Sequence, residues 1–550
     1  MAVGEKVSTK IKKRLSKLKD DRLTFDNYCQ EVSDHALGRR DFTIAEVQQG
    51  RQRMTRIYDT TSFDANQLLG AALHSLLTNP QTEWVSVRYQ RSELNGNGIA
   101  REYLEVVRKR LQTSFTRPDS GFASHISQVW HDLPGYGNGC MYVEEDLAFG
   151  ARFVARPISE IWIDTDESGR IVAIYREFEL EAWQAVEEYG KENLSEGVQR
   201  MAEKVSSSQK ITFVQHVKKR AIPLPWKITA EGKPFESVTF EDKSGQTVRE
   251  GGFTSMPFMF ARWDVDTGDR YGKGPGLWAL PNQKMLNRMW KTFIRGSEKA
   301  VDPPLLVDHD SVMPGSQLKV TPNSSIVIQQ DAGINREPIR YLESRAQPNW
   351  VEGIMQSRAA IVQKQFHSEI IQAFMDPRMT ATQVLELTHL AQRQLAPILG
   401  RMQQELLDPM IQRVYDIESR RMDFPQPPPE LAGEALKFEY VGPIARAQKA
   451  TEAQAILDTF AALQAISAML PETMDNFDPD TAARALAESN GIPANVLRLR
   501  DEVDRIREKR AEDEAVERSR QEAQEGAETV AKLLPGVAAL NQQVGGALPN

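Results

Sequence analysis

The 550-residue chain contains very little cysteine and no long apolar run. Its two cysteines, Cys29 and Cys140, cannot build a disulfide framework, which predicts a reducing compartment. No stretch approaches the roughly 18 uninterrupted apolar residues of a membrane span. The basic N-terminus lacks the apolar core of a secretory signal. These absences predict a soluble intracellular protein without a membrane partner.

Recognisable catalytic motifs are also missing from the sequence. A phosphate-binding loop has the form G-x-x-x-x-G-K-[ST], whereas residues 272–276 have the wrong spacing, no hydroxyl after Lys273 and a proline in place of an N–H donor. A turn that enters the following helix explains this segment better. No histidine pairs with a cysteine or another histidine at metal-ligand spacing, and residues 308–310 (Asp-His-Asp) come nearest to a metal cluster. With no G-x-S-x-G elbow either, we predict no enzyme activity, metal or cofactor.

Length and composition are typical of a multi-domain globular protein. At about 150 residues per domain, the chain is long enough for three or four units. Charged residues make up 26% and hydrophobic residues 40%, which is ordinary for a soluble protein. The formal net charge of -8 argues against tight, sequence-independent DNA binding over the whole surface, because such binding depends on neutralising phosphates.

Hydrophobic patterns predict a mixed α+β region followed by a mainly helical chain. Residues 181–203 and 349 to about 374 are predicted as single helices. Strands are predicted at 140–144, 152–155, 160–164, 171–178, near 211–217 and 238–240, and at 305–307, 317–320 and 325–329. The helix 380–420 opens with a capping box and should bend at its prolines. The lysine-rich N-terminal helix has a thin apolar stripe, and we expect it to be a solvated, partner-facing surface. Membrane or nucleic-acid binding is the alternative for it.

The helix predicted at residues 277–301 has two contrasting sides. One side is apolar: Met285, Leu286, Met289, Trp290, Phe293 and Ile294. The other side carries five cations, called here the basic stripe: Lys284, Arg288, Lys291, Arg295 and Lys299. Two interpretations fit this stripe equally on sequence alone, an ordinary solvated helix face or a surface that attracts DNA phosphates.

Several segments, in order along the chain, resemble the head-to-tail connecting (portal) proteins of short-tailed phages. They are Arg56-Ile57-Tyr58-Asp59-Thr60-Thr61 leading into Leu76-Leu77-Thr78-Asn79-Pro80, Tyr271-Gly272-Lys273-Gly274-Pro275-Gly276, Met379-Thr380-Ala381-Thr382-Gln383-Val384 continued by residues 395–401 and 406–411, and Tyr440-Val441-Gly442-Pro443-Ile444-Ala445-Arg446-Ala447-Gln448. No single segment is specific, so the resemblance depends on their order and on their coverage from about Arg51 to Gln448.

The resemblance implies the portal fold, an α+β and mainly helical architecture. The implied regions are 1–50 N-terminal arm, 51–270 α+β wing, 271–301 first stem helix, 302–346 strand-containing clip, 347–372 second stem helix, 373–379 tunnel loop, 380–424 bent helix linking wing and crown, 425–500 helical crown, and 501–550 acidic, helical and partly disordered tail. In this scheme the basic stripe lines a DNA channel. A tunnel loop would touch DNA through Phe374, Met375, Asp376 and Arg378, although a buried helix connection is the alternative.

The function implied by the resemblance is that of a dodecameric ring at one capsid vertex, assembled in the host cytoplasm and carried in the virion. Double-stranded DNA would pass through it transiently and without sequence specificity during packaging and ejection. The implied partners are major capsid and scaffolding proteins, the terminase large subunit, and tail adaptor or nozzle proteins. Two alternatives remain from the residues themselves: a nuclease or ATPase of the packaging machinery, and a scaffold or adaptor without a channel.

Overall fold

The computed structural model describes 7–38, 42, 57–80, 83–91, 93–94, 98–146, 150–203, 209–221, 229–301, 305–307, 339–341, 349–369, 371, 395–421, 424–428, 433–434, 436–440, 454–462, 478–489, 502–521 and 524. The chain divides into two compact units. The first contains Met1–Ser86, Arg108–Phe424 and Phe438–Ile444, and the second contains Val87–Val107, Pro425–Lys437 and Ala445–Asn550. Within the described ranges, no helix is both long and apolar enough to cross a bilayer.

The described structure mixes helices with antiparallel sheets. The α-helices are α1 (Val7–Val32), α2 (Thr61–Leu77), α3 (Gly98–Thr116), α4 (Phe122–Tyr136), α5 (Ala182–Tyr189), α6 (Glu196–Ala202), α7 (Pro275–Val301), α8 (Asn349–Gln365), α9 (Asp408–Arg420) and α10 (Pro479–Ser489). The strands are β1 (Val85–Tyr89), β2 (Asn138–Asp146), β3 (Gly150–Arg156), β4 (Ile161–Thr165), β5 (Ile171–Glu181), β6 (Lys210–Lys219), β7 (Phe235–Glu241), β8 (Thr247–Phe253), β9 (Phe258–Arg262), β10 (Leu305–Val307), β11 (Ile339–Tyr341) and β12 (Leu436–Tyr440). Helix and strand thus coexist as the α+β prediction requires.

Two antiparallel sheets form the centre of the first unit. One has the strand order β4-β5-β6-β7-β8 and the other β3-β2-β9. The patterns predicted most of these strands, but not β8 or β9. Strand β8 contains Gly251 and Gly252, and consecutive glycines in a sequence predict a turn. Strand β9 is buried along its whole length, so its sequence does not alternate between apolar and polar residues.

Helix α1 packs on the five-stranded sheet, so the expectation of a solvated helix was wrong. Its apolar stripe of Ile11, Leu15 and Leu18 is buried in a cluster with sheet residues that include Trp162 and Phe240. Bases next to this stripe pair with acids on or beside the sheet. Arg14 donates to Asp164 at 2.7 and 2.8 Å, Lys12 lies 3.5 Å from Asp242, and Lys19 pairs with Glu177. These contacts neutralise three of the bases that suggested a partner-facing surface, while Lys10, Lys13 and Lys17 remain exposed.

Arg22 fixes the middle of α1 in place. Its side chain is buried, it donates to the carbonyl oxygens of Ile158 and Ile161, and it pairs with Asp26 at 2.8 Å. The guanidinium carbon also lies 4.3 Å from the centroid of the Trp162 ring. A buried arginine with these partners holds a helix to its sheet more firmly than surface ion pairs do.

Two predicted helices are shorter than the patterns indicate. The single helix expected at 181–203 is two helices, α5 and α6, because Gly190 adopts a φ of 80° and a 3-10 turn follows it. The helix expected from 349 to about 374 ends at Gln365, and His367 then has a φ of 56°. A left-handed residue cannot continue a right-handed helix.

The region around α7 agrees with its pattern. The predicted helix 277–301 is confirmed as α7, and the strand 305–307 is confirmed as β10, which pairs antiparallel with β11. Helices α7 and α8 pack against each other. The remaining strands predicted at 317–320 and 325–329, and the capping box at Thr380, lie outside the described residues.

The expected bend at Pro409 takes the form of a π-helical turn. Residues 395–402 are helical, Gln403–Leu407 form the π turn, and α9 follows with Pro409 in its first turn. Proline lacks the N–H that an α-helix needs at this point, and the wider turn accommodates the missing hydrogen bond. The helix therefore continues through the proline instead of breaking.

The second unit is described in separate helical and strand segments. It includes the first residues of α3, residues 454–462, α10 and residues 502–521. Asp480 in α10 accepts two hydrogen bonds from Arg507, at 2.6 and 2.7 Å. This pair ties the acidic C-terminal helix to α10 within the unit.

Candidate nucleic-acid interface

A close contact between two glycine-rich turns positions the start of α7. Gly272 and Gly274, which precede α7, lie against residues 134–137 at the end of α4, where the backbones touch. A Cβ on Gly274 would lie 2.6 Å from the carbonyl oxygen of Pro134, and one on Gly276 would overlap the carbonyl oxygen of Gly135. Only glycine permits this approach, so residues 272–276 are a packing junction that leads into the helix.

Asn138 closes this glycine junction with hydrogen bonds. Its side-chain oxygen accepts from the backbone N–H of Gly272 at 2.8 Å, and its side-chain nitrogen donates to the carbonyl oxygen of Gly272 at 3.0 Å. The side chain is fully buried. The direction in which α7 leaves the sheets is therefore set by a buried amide and by backbone contact.

Two buried polar side chains hold the first half of α7. Gln283 donates to the carbonyl oxygen of Asp59 at 2.9 Å. Asn287, one turn further along, accepts from the backbone N–H groups of Tyr58 and Asp59, both at 3.1 Å, and donates to the carbonyl oxygen of His35 at 3.0 Å. The buried side of α7 is therefore partly polar, and it fixes the rotation of the helix about its axis.

That rotation turns most of the basic stripe towards solvent. Arg288, Lys291, Arg295 and Lys299 are all exposed. At 3.6 residues per turn the stripe occupies about 80° of the helix circumference. Among the described residues, no ion pair is found for Arg288, Arg295 or Lys299, and the ammonium of Lys291 lies 5.7 Å from the centroid of the Tyr58 ring. The four charges remain available to an anion.

Lys284 differs from the rest of the stripe. It is half-buried, and its ammonium lies 2.5 Å from a carboxylate oxygen of Glu31 in α1. The opposite charge neutralises it locally. The structure thus brings four of the five predicted stripe residues together as free cations, while Lys284 links α7 to α1.

The apolar side predicted for α7 is only partly covered within one chain. Leu286 is fully buried, but Met285 and Ile294 are exposed, and Trp290 and Phe293 are half-buried. On the neighbouring α8, Ile354 and Ile361 are exposed as well. The pair α7 and α8 therefore presents apolar side chains that nothing in the described chain covers.

No catalytic arrangement is found among the described residues. The ammonium of Lys273 lies 2.7 Å from Asp266 and 2.9 Å from Asp269, whose hydrogen bonds raise its pKa, so it is not directed at a phosphate. The described residues contain no group of three or more His, Cys, Asp or Glu placed to hold a metal. Both cysteines are buried, and burial raises the pKa of the Cys140 thiol to about 12, far from that of a reactive thiolate.

Some predicted residues lie outside the described part of the chain. Phe374, Met375, Asp376 and Arg378 of the expected tunnel loop belong to this group, as do Asp308, His309 and Asp310. Conversely, the sequence did not reveal Gln283 and Asn287 as anchors of α7. Their spacing of four places them on one face, but a polar residue on a helix is ordinarily exposed, so a pattern assigns such residues to the solvent side.

Comparison with known proteins covers almost the whole chain. The family described as "Bacteriophage head to tail connecting protein" matches residues 8–497. The chain is 26% identical over 515 residues to the portal protein of Salmonella phage epsilon15, covering 92% of each protein. It is also 26% identical over 535 residues to the probable portal protein of Bordetella phage BPP-1, covering 94% of each. The family range includes all of α7 and α8.

Proposed function

This chain belongs to the family of bacteriophage head to tail connecting proteins and has a portal function, and from that premise we propose that twelve copies close into a ring-shaped channel for double-stranded DNA. The channel occupies one vertex of the capsid in the virion. The family match over residues 8–497 carries the proposal. In this assignment α7 and α8 are the stem, residues 302–346 the clip, the sheets the wing and residues 425–500 the crown.

The uncovered apolar side chains of α7 and α8 support ring formation. Trp290, Phe293, Ile294 and Val301 line an open recess of about 570 Å³ on α7. Apolar side chains clustered in this way on a soluble protein usually mark a contact with another protein. In a ring, each stem pair packs against the same pair of the adjacent subunit, which removes these side chains from water.

The first prediction is that the purified chain forms hollow rings. Negative-stain images should show annular particles, and mass photometry should give the mass of about twelve subunits, because ring closure covers the apolar side chains that one chain leaves exposed on α7 and α8. Neither ATP hydrolysis nor DNA cleavage is expected from these particles. A chain that stays monomeric at every concentration would contradict the ring, and nuclease or ATPase activity would favour an enzyme of the packaging machinery.

We assign the basic stripe to the channel wall. Duplex DNA presents one phosphate charge per roughly 1.7 Å of its axis, and α7, at about 1.5 Å per residue, spans about 40 Å. Ring symmetry turns each cation of the stripe into a belt of charge. Such belts attract the duplex without fixing its register, and the net charge of -8 per chain keeps the attraction weak enough for DNA to slide.

The second prediction concerns three unpaired cations of the stripe. Replacing Arg288, Arg295 and Lys299 together by Glu should lower the yield of DNA-filled particles at least about tenfold, because three charges per subunit change sign along the channel. Filled and empty particles can be counted after separation on a density gradient, and the DNA they contain can be measured directly.

A matched triple variant separates channel charge from total charge. Three exposed bases lie at the end of β6 or in the turns next to β5 and β7, namely Lys219, Arg170 and Lys243, and their replacement by Glu changes the net charge by the same amount. We expect rings and DNA packaging to survive in this control. If the stripe variant forms rings and packages as well as the control does, the stripe is an ordinary solvated helix face.

The partners follow from the same assignment. We propose that capsid and scaffolding proteins bind around the wing, that the terminase large subunit binds the clip during packaging, and that tail adaptor or nozzle proteins bind the clip afterwards. The terminase supplies ATP hydrolysis, so this chain contributes a passage and a docking surface. We also propose that Phe374, Met375, Asp376 and Arg378 form a loop towards the channel.

A further inference from the structure

A deep groove in the first unit lies beside the two sheets and belongs to no part of the stem. Its volume is about 970 Å³, at the upper end of the range for ligand-binding pockets. Helix α5 forms one wall and the end of β2 another, while strands β5 to β8 form the floor. A cavity of this size on a soluble protein can hold several residues of a bound peptide.

The register of the sheet places a polar row across the floor of the groove. Arg176, Gln215, Thr239 and Arg249 lie directly opposite one another on β5, β6, β7 and β8. In the adjoining row, Ser237 on β7 lies opposite Gly251 on β8, and both line the groove. A Cβ on Gly251 would meet nothing within 4 Å, so the floor is open at that point.

Arg156 brings a half-buried positive charge into the groove, which Glu160 and Glu144 offset without forming an ion pair to it. Its guanidinium carbon lies 5.5 Å from the centroid of the Tyr142 ring, and its Nε is buried with no hydrogen-bond partner. Glu160 is already paired with Arg176 at 3.3 Å, and no ion pair to Arg156 occurs among the described residues. Burial, and then the charge of Arg176, lower the pKa of Arg156. A half-buried charge without an ion pair is stabilised when an anion reaches it.

The walls of the groove determine which anion fits. They carry five carboxylates, of which Glu145 pairs with Arg420 and Glu188 with Arg249; the other three are Glu144, Glu187 and Glu250. Because the lining also contains the bases Arg156, Arg176, Lys233, Arg249 and Arg420, the charges of the groove are mixed and do not favour a polyanion such as nucleic acid. The three acids without an arginine partner among the described residues complement cations on either side of a single carboxylate. Trp183 on the rim is 56% exposed and offers an aromatic surface of the kind enriched at protein interfaces.

We propose that this groove binds an extended peptide segment of another protein in which one Asp or Glu is flanked by Lys or Arg. The carboxylate of the peptide pairs with the guanidinium of Arg156, which can donate two parallel hydrogen bonds to it. The flanking cations meet the glutamates of the walls. The site is separate from the DNA channel, and its occupation does not require that the ring has formed.

A random heptapeptide library tests this proposal, because selection from it reveals which peptide sequences the groove prefers. The library is selected on the immobilised full-length protein and, in parallel, on the Gly251→Phe variant. Gly251 is not among the positive-φ glycines and a Cβ there meets nothing within 4 Å, so the ring of a phenylalanine at this position extends into the groove. Peptides with a central acid between bases should be enriched on the unmodified protein and lost on Gly251→Phe.

Affinity measurements then test the role of Arg156. Fluorescence anisotropy of the most enriched peptide should show binding that weakens at least about tenfold when its acid is replaced by the amide. Arg156→Gln should weaken binding by a similar factor, whereas Lys243→Gln, outside the groove, should leave it unchanged. Unaltered denaturation midpoints of Gly251→Phe and Arg156→Gln will show that both variants are folded.

Three results would overturn the proposal. The first is that no peptide is enriched on the unmodified protein relative to the Gly251→Phe variant. The second is that the enriched peptides lack an acid. The third is that a DNA duplex at low concentration displaces the bound peptide. Because none of these measurements depends on DNA packaging, failure here leaves the portal assignment intact. Loss of ring formation would likewise leave the groove proposal standing.

Discussion

Gly137→Ala is expected to destabilise the first unit by about 3–5 kcal/mol. Gly137 has a φ of 77°, which strains any other residue, and a Cβ here would overlap the carbonyl oxygen of Gly272 and lie 2.6 Å from the N of Gly274. Both obstacles are backbone, which cannot move aside as a flexible side chain can. Denaturant unfolding followed by circular dichroism measures the loss of stability, and negative staining shows whether rings still form.

Gly169→Ala is the matched control for this variant. Gly169 has the same φ of 77°, but nothing lies within 4 Å of its Cβ position, so the substitution adds backbone strain alone. Its expected cost is about 1–2 kcal/mol. Equal losses in the two variants would show that the glycine junction does not depend on close backbone contact, and would contradict its role in directing α7.

Glu405→Ala is expected to cost about 3–5 kcal/mol, because it leaves a buried arginine without its counter-charge. Glu405 in the π-helical turn accepts from Arg262 on β9 at three points: the backbone N at 3.0 Å, Nε at 3.0 Å and Nη2 at 2.5 Å. The Arg262 side chain is only 8% exposed, so water cannot replace the lost carboxylate. The free energy of unfolding in denaturant measures this effect.

Two further variants separate the charge of Glu405 from the volume of its side chain. Glu405→Gln keeps the shape and some hydrogen bonds, and should therefore lose less stability than Glu405→Ala. Glu196→Ala breaks an exposed pair with Arg200, 2.9 Å long, and should cost less than about 1 kcal/mol. If Glu405→Ala is as mild as Glu196→Ala, the buried pair does not hold the bent helix to the sheet.

The proposal that the basic stripe lines the channel depends on which side chains of α7 are held by contacts and which are free. Buried Gln283 and Asn287 fix one side of the helix, and the adjacent side then carries unpaired cations. Replacing these amides by leucine would keep the helix but release its rotation. This arrangement explains how a protein with a net negative charge can present a positive surface at one chosen place.

Periodic segments could be predicted from the sequence because their information is local. The three- and four-residue spacing of α7 placed the helix within two residues of its observed start, and the basic stripe was visible in the same pattern. The strands β2 to β7 followed from their alternation in the same way. Local patterns fail where glycine occurs inside an element, as at Gly251 in β8, or where a turn divides a helix, as at Gly190.

Long-range contacts could not be predicted in this way. The bases of α1 suggested a free surface, but their partners Asp164 and Glu177 lie about 150 residues away in the chain. In the sequence Lys284 is equivalent to the other cations of the stripe, but in the structure Glu31 lies beside it and neutralises its charge. The sequence shows that a side chain is charged, but only the contacts in the folded protein show whether that charge already has an ion-pair partner.

By itself, the sequence determined the α+β class, the helix α7 with its cations and the likeness to connecting proteins, because these depend on neighbours a few residues apart. The tertiary structure decided that glycines 135 residues apart touch, that the apolar side of α1 is buried, that Glu405 holds Arg262, and that the Nε of Arg156 has no hydrogen-bond partner among the described residues. Those features arise from distant segments meeting in space. Their energies come from steric exclusion and desolvation at the contact, which no local pattern records.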